Sequence, residues 1–201
     1  MPGWAALIAP STGRLTTGTF DIAPGTDPCE LPPEGGYRGL ENQLYRVQIH
    51  DAGLPGAGAT FKWSRENNAV GSRVTRFLSN TEVELESLGR DDVLRFNTGD
   101  WVEFLDDERE FAQRPGELRR VTVHDDRRSL EFTGALGELQ PMRHNLRVRR
   151  WDQARRVLRV QGTGTVLHHD LDAPTATGAI PIPASGTLLL DRKSTRLNSS
   201  H

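Results

Sequence analysis

Residues 99–107 read GDWVEFLDD, with Trp101 and Leu105 at one parity and Val102 and Phe104 at the other. Side chains alternate across a strand, so large apolar groups at both parities mean that both of its faces are covered. Two further short strands follow: ELRRVTV (117–123) and SLEFTG (129–134), joined by the polar turn HDDRR (124–128). Three free antiparallel strands leave open edges, and closing the sheet removes them. The spacing therefore predicts a small barrel of the SH3-like kind near residues 92–133.

Outward from this segment the period of two persists. TEVELESL (81–88) sets Val83 and Leu85 against Glu82, Glu84 and Glu86, the pattern of a strand wet on one side. In QLYRVQIHD (43–51), Tyr45, Val47 and Ile49 form the predicted buried face, against Arg46, Gln48 and His50. ATFKWSREN (59–67) repeats the device, with Phe61 and Trp63 inward and Lys62 and Ser64 outward. The flexible AGLPGAGA (52–59) between them predicts a hairpin. NLRVRRWDQARRVLRV (145–160) reads as a second hairpin turning at 152–154, and TLLL (187–190) as a strand whose partner lies beyond Leu190. With no sustained 3.6-residue stripe, the fold class is mostly β: short antiparallel strands forming a sandwich or small barrels, with little helix.

Composition shifts divide the chain. Residues 1–36, ending GTDPCELPPEGG, are rich in Gly, Pro, Thr and Ser and read as an extended arm or linker. Residues 37–133 form the β domain, and 134–190 a hairpin and a Gly/Pro-rich segment, cut short. Residues 191–201, DRKSTRLNSSH, back-translate to what looks like a sequencing-library adapter, so a natural chain is expected to continue past Leu190. Without those eleven residues Lys and Arg fall from 25 to 22 and Asp and Glu from 27 to 26, moving the net charge from −2 to −4. That balance argues against whole-surface attraction to nucleic acid, and none is expected as a partner. The longest apolar runs are a few residues, far below a membrane span. The N-terminal MPGWAALIAPSTGR lacks the pattern of a secretory signal. Compartment stays open between a bacterial cytoplasm and an extracellular particle. Cys29 is the one cysteine, so no disulfide or CxxC site forms within the chain.

GGYRGLENQLYRVQIHDAG (35–53) and GATFKWSRENNAV (58–70) carry a resemblance. The chain resembles a bacterial domain-of-unknown-function family of large β-rich multidomain proteins, some of them associated with phage-tail-like contractile injection systems. The similarity continues through GRDDVLRFNTGDWVEFLDD, PGELRRVTV, LRVRRWDQ and GAIPIPASG, over most of residues 27–190. The resemblance implies a module of a large assembly, with other domains or subunits as partners. It supplies no catalytic residue.

Several residues have the chemistry of a site, each with a plainer reading beside it. His50 with Asp51 has the makings of a base and its orienting acid, but no nucleophile is placed by spacing. Arg65 and Asn67, beside Trp63, suit hydrogen bonding to a sugar or peptide; they equally suit a turn. Asp106, Asp107, Glu108 and Glu110 offer hard oxygen ligands without the spacing of a calcium loop. His168 and His169 point to opposite strand faces. Seven arginines lie between Arg143 and Arg159 with Asp152 the only acid among them. Arg147 and Arg149 share one strand face, and Arg155 and Arg159 sit on the returning arm. Such a patch suits an acidic subunit surface or polysaccharide, or else covers apolar neighbours with its stems.

The sequence calls for no cofactor, no metal and no catalytic residue. Its leading reading is a structural or adhesive β module of a large bacterial surface or injection-particle-associated protein. The rival is part of a carbohydrate-active or other hydrolytic enzyme, with Glu103, Asp106 or Asp107 as acids. Two carboxyls converging beside an exposed Trp would favour that rival.

Overall fold

The computed structural model describes residues 44–92, 94–137, 139, 145–153, 156–160, 166–170, 176–184 and 187–189; for 156–160, 166–170 and 187–189 the description is of the backbone. The expected arm at 1–36, Cys29, Trp4, Arg143, Arg155 and the 191–201 tail lie outside the described residues. In chain order the elements are β1 (Arg46–Ile49), β2 (Thr60–Ser64), β3 (Gly71–Ser79), β4 (Glu82–Leu85) and β5 (Trp101–Leu105). After these come the short helix α1 (Asp107–Phe111), β6 (Glu117–His124), β7 (Ser129–Phe132) and β8 (Arg147–Trp151). The last four are β9 (Arg156–Val160), β10 (Val166–Asp170), β11 (Ile180–Pro181) and β12 (Thr187–Leu189). The protein is mostly β, as its sequence pattern predicts.

Six strands close into an antiparallel barrel in the order β3-β4-β7-β6-β5-β8, with β8 pairing back onto β3. Its core includes Val74, Val83, Leu85, Val102, Phe104, Leu130, Phe132 and Val148. The rings of Phe104 and Phe132 meet at 5.0 Å between centroids and 52° between planes, a tilted aromatic contact. The barrel is larger than the expected span, starting at β3 and ending at β8. β3 hides from a period-of-two reading for a physical reason. Val74 is buried in the core and Phe77 packs against it, although the two lie at opposite parities. The register against β4 shifts between Val74 and Arg76, and such a bulge bends a strand and increases its twist.

β5 is covered on both faces, with all five residues buried. Val102 and Phe104 fill the barrel, whereas Trp101 packs outside it with Leu118, Trp151 and Ala179. The outer cover includes a three-stranded sheet, β1-β2-β11. β1 and β2 form the expected antiparallel hairpin, with Val47 opposite Trp63 and Gln48 opposite Lys62. One face of β2 packs Phe61 and Trp63 with Ile180.

Two burial expectations are reversed here. Lys62 and Ser64, read as an outward polar face, are 1% and 3% exposed because that face lies against the barrel wall. Tyr45, Val47 and Ile49, read as buried, are exposed, because β1 is an edge strand whose opposite parity turns to the barrel. The hairpin expected across 145–160 is also replaced. β8 closes the barrel between β3 and β5, and β9 pairs with β10 and β12 in a separate sheet. β12, the TLLL strand, thus has β9 as its partner, with Leu188 opposite Arg159.

Gly178 marks how closely the cover fits. Its φ of +80° is left-handed, and a Cβ there would fall 2.6 Å from the Trp101 ring carbon Cζ3. Phe104 anchors the other side of the same strand. Phe104→Ala is expected to lower unfolding free energy by about 3–5 kcal/mol, read by urea denaturation. A variant as stable as the parent would remove Phe104 from the barrel core.

Candidate functional site

The centre of the outer β5 face is Glu103, 3% exposed, between Trp101 and Leu105. A carboxylate so buried needs donors, because dehydrating it is costly. Three converge on it. Lys62 of β2 forms an ion pair with Oε1, the Gly116 N–H donates to Oε1 at 2.8 Å, and the Trp151 indole N–H donates to Oε2 at 2.9 Å. The Lys62 ammonium also lies 4.8 Å from the centroid of the Trp151 ring, a cation–π placement. Gly116 is required by proximity: a Cβ would come within 2.9 Å of Oε1. Burial lowers the Lys62 pKa, the Glu103 carboxylate opposes that shift, and Arg46 and Arg149 add to it.

Beside this pair lies a cavity of about 390 Å³ between the β1-β2 hairpin and the barrel wall. Arg46, Gln48 and His50 reach it from β1 and its end, Arg149 from β8, and Gln113 from the loop after α1. The alternation of β1 does this: the polar parity that sequence reading sent to solvent lines the cavity. His50 Nδ1 is buried without a hydrogen-bond partner. Its pKa is lowered, first by burial and next by Lys62, so the neutral imidazole is favoured. Arg149 lies below its ordinary value through burial first and the Arg147 charge second.

The acidic cluster is divided among structural tasks. Asp106, 2% exposed, caps α1 by accepting from the Arg109 N–H at 2.8 Å. Asp107 accepts from Arg147 at 2.8 Å and from Asn145 at 3.0 Å. Glu108 pairs with Arg114 at 2.9 Å, and Glu110 with both Arg147 and Arg149, the latter at 3.3 Å. Arg147 and Arg149, expected as a partner patch, thus sit beside α1 with acids in contact. The Arg159 backbone lies in β9. Arg65 pairs with Asp152 at 3.4 Å, and Asn67 is an exposed left-handed residue, φ 50°, in the turn after β2. The structure does not bring these two to the cavity.

Asp51 does not orient His50; its carboxylate accepts from the Thr60 hydroxyl at 2.6 Å. The three described tryptophans, Trp63, Trp101 and Trp151, are all buried. Sequence reading missed Lys62 as a site residue and weighed Glu103 only as a catalytic acid. The available signal was a single charge between large apolar neighbours in each strand: Lys62 between Phe61 and Trp63, Glu103 between Val102 and Phe104.

Residues 15–172 match the family model described as a family of unknown function, DUF6519. No curated protein and no solved structure matches the chain.

The buried pair yields a double-mutant cycle. Lys62→Met or Glu103→Gln alone is expected to cost about 3–5 kcal/mol, since each strands a buried charge or its donors. The double variant should recover a substantial part of the summed loss, measured by chemical denaturation. Strict additivity would mean the two groups do not interact.

His50 predicts an acid sensitivity. Its folded pKa lies below the ordinary 6.5, so as pH falls the unfolded chain takes up the proton first. Its contribution to stability is complete above about pH 6.5 and declines as pH drops through that value toward the lower folded pKa. Unfolding midpoints between about pH 7.5 and about pH 5 should fall less steeply in His50→Gln. An unchanged slope would assign the sensitivity to other groups.

Proposed function

The chain belongs to the DUF6519 family, and we propose that it is a structural or adhesive β module of a large bacterial surface or injection-particle-associated protein, acting by association and without turnover. The observation that carries this reading is the state of the two carboxylates at the cavity. Glu103 is held by Lys62, Gly116 and Trp151, and Glu110 by Arg147 and Arg149. A general acid or base needs its proton-carrying atom within reach of a substrate. Here those oxygens join the side sheet to the barrel and the helix to β8. The assembly context is itself part of the proposal and rests on the resemblance seen in GGYRGLENQLYRVQIHDAG. Its partners on this reading are other subunits of the particle or an acidic surface polymer.

The test uses an acidic polysaccharide resin with glycoside, ester and peptide substrates in parallel. Capture at about 0.1 M salt and release near about 1 M, where the Debye length shrinks from about 10 to about 3 Å, is the expected result, with no product formed. Hydrolysis abolished by Glu103→Gln or Asp106→Asn, in variants that keep their circular-dichroism spectrum, would overturn it in favour of an enzyme.

A further inference from the structure

We propose that the cavity between the β1-β2 hairpin and the barrel is a binding site for a sugar carboxylate, of the size of one uronic acid residue. This rests on the adhesive reading and names its ligand. Charge balance around the cavity is the first ground. Lys62 is matched by Glu103, Arg114 by Glu108, and Arg147 with Arg149 by Asp107 and Glu110. Arg46 lines the same cavity and has no ion-pair partner among the described residues. One unmatched guanidinium calls for one negative charge, and its planar fork fits a carboxylate.

The second ground is the neutral chemistry beside that cation. Gln48 and Gln113 line the cavity with amides, and His50 lines it with its imidazole. An imidazole held neutral has one donating and one accepting nitrogen, which suits hydroxyl groups. A volume of about 390 Å³ is within the range of small-molecule sites. The ligand that satisfies all three conditions has one carboxylate and several hydroxyls. Arg149, held at Glu110, lines the same cavity.

Isothermal titration of the full chain with sodium glucuronate, glucose, sodium acetate and inorganic phosphate tests this. Glucuronate is expected to bind, glucose and acetate at least about tenfold more weakly, because each lacks half of the recognised groups. Arg46→Ala should weaken glucuronate by about tenfold or more, and His50→Ala by less, with both variants folded. Phosphate binding as tightly as glucuronate, absence of glucuronate binding, or an Arg46→Ala variant that binds it unchanged would each overturn the proposal. The two readings fail separately. Salt-sensitive capture on acidic polysaccharide that survives Arg46→Ala removes the cavity site and leaves the adhesive module, whereas turnover of the uronate removes the adhesive module itself.

Discussion

Everything around the cavity depends on one ion pair in a dry wall, Lys62 to Glu103. Placing both charges out of water has a desolvation cost that attraction alone seldom offsets, so further donors are needed. The fold supplies the Gly116 N–H, the Trp151 indole and the face of the Trp151 ring. Each supplier is constrained in turn. Residue 116 has no room for a side chain, and Trp151 must present its N–H to Oε2 while facing Trp101 across the β5-β8 ladder. β2 must hold its register too, because a slip of one residue would turn Lys62 to the opposite face.

The pair also explains why a small sheet sits on a barrel that is already closed. Closure satisfies the backbone of all six strands. It leaves the outer face of β5 and β8 carrying Trp101, Trp151, Leu105 and Glu103, all buried. That face needs a cover with apolar and charged parts in matching places. Gly178 and Ala179 meet Trp101, and Lys62 meets Glu103. Two hydrogen bonds add further ties: the Asp152 backbone N–H donates to the Trp63 carbonyl at 3.0 Å, and the Gln153 side-chain amide donates to the Phe61 carbonyl at 3.3 Å.

Much of this was legible where local pattern and tertiary environment agree. β5, β6 and β7 announced themselves through alternation and a polar turn, and TEVELESL showed its buried Val83 and Leu85. Legibility failed where a distant partner reversed the local signal. β1 has an apolar and a polar parity, and the usual inference buries the apolar one; only the barrel wall, carrying Glu103 and Arg149, makes the polar parity the one that lines the cavity. β3 failed because a bulge breaks its period. β8 and β9 looked like a hairpin because both are short, Arg-rich and adjacent, while their actual partners, β3 and β5 for one and β10 and β12 for the other, are decided by closure and not by neighbourhood. The site was half visible: His50, Glu103, Glu110 and Arg149 were singled out, but not that Lys62 answers Glu103 across 41 positions.

The same pair separates what holds the fold from what is free to recognise a ligand. Neither Lys62 nor Glu103 can be drawn to an incoming group without leaving the other as an uncompensated buried charge. Selectivity at the cavity therefore falls to the groups around the pair. These are Arg46 and Gln48 on an edge strand, Gln113 on a loop, and His50, whose neutral form is favoured by burial and by the neighbouring Lys62 charge. Edge strands and loops tolerate substitution better than a barrel wall does. If the proposed cavity site holds a ligand, changing those positions would alter that ligand without loosening the sheet from the barrel, because the inner lock lies elsewhere.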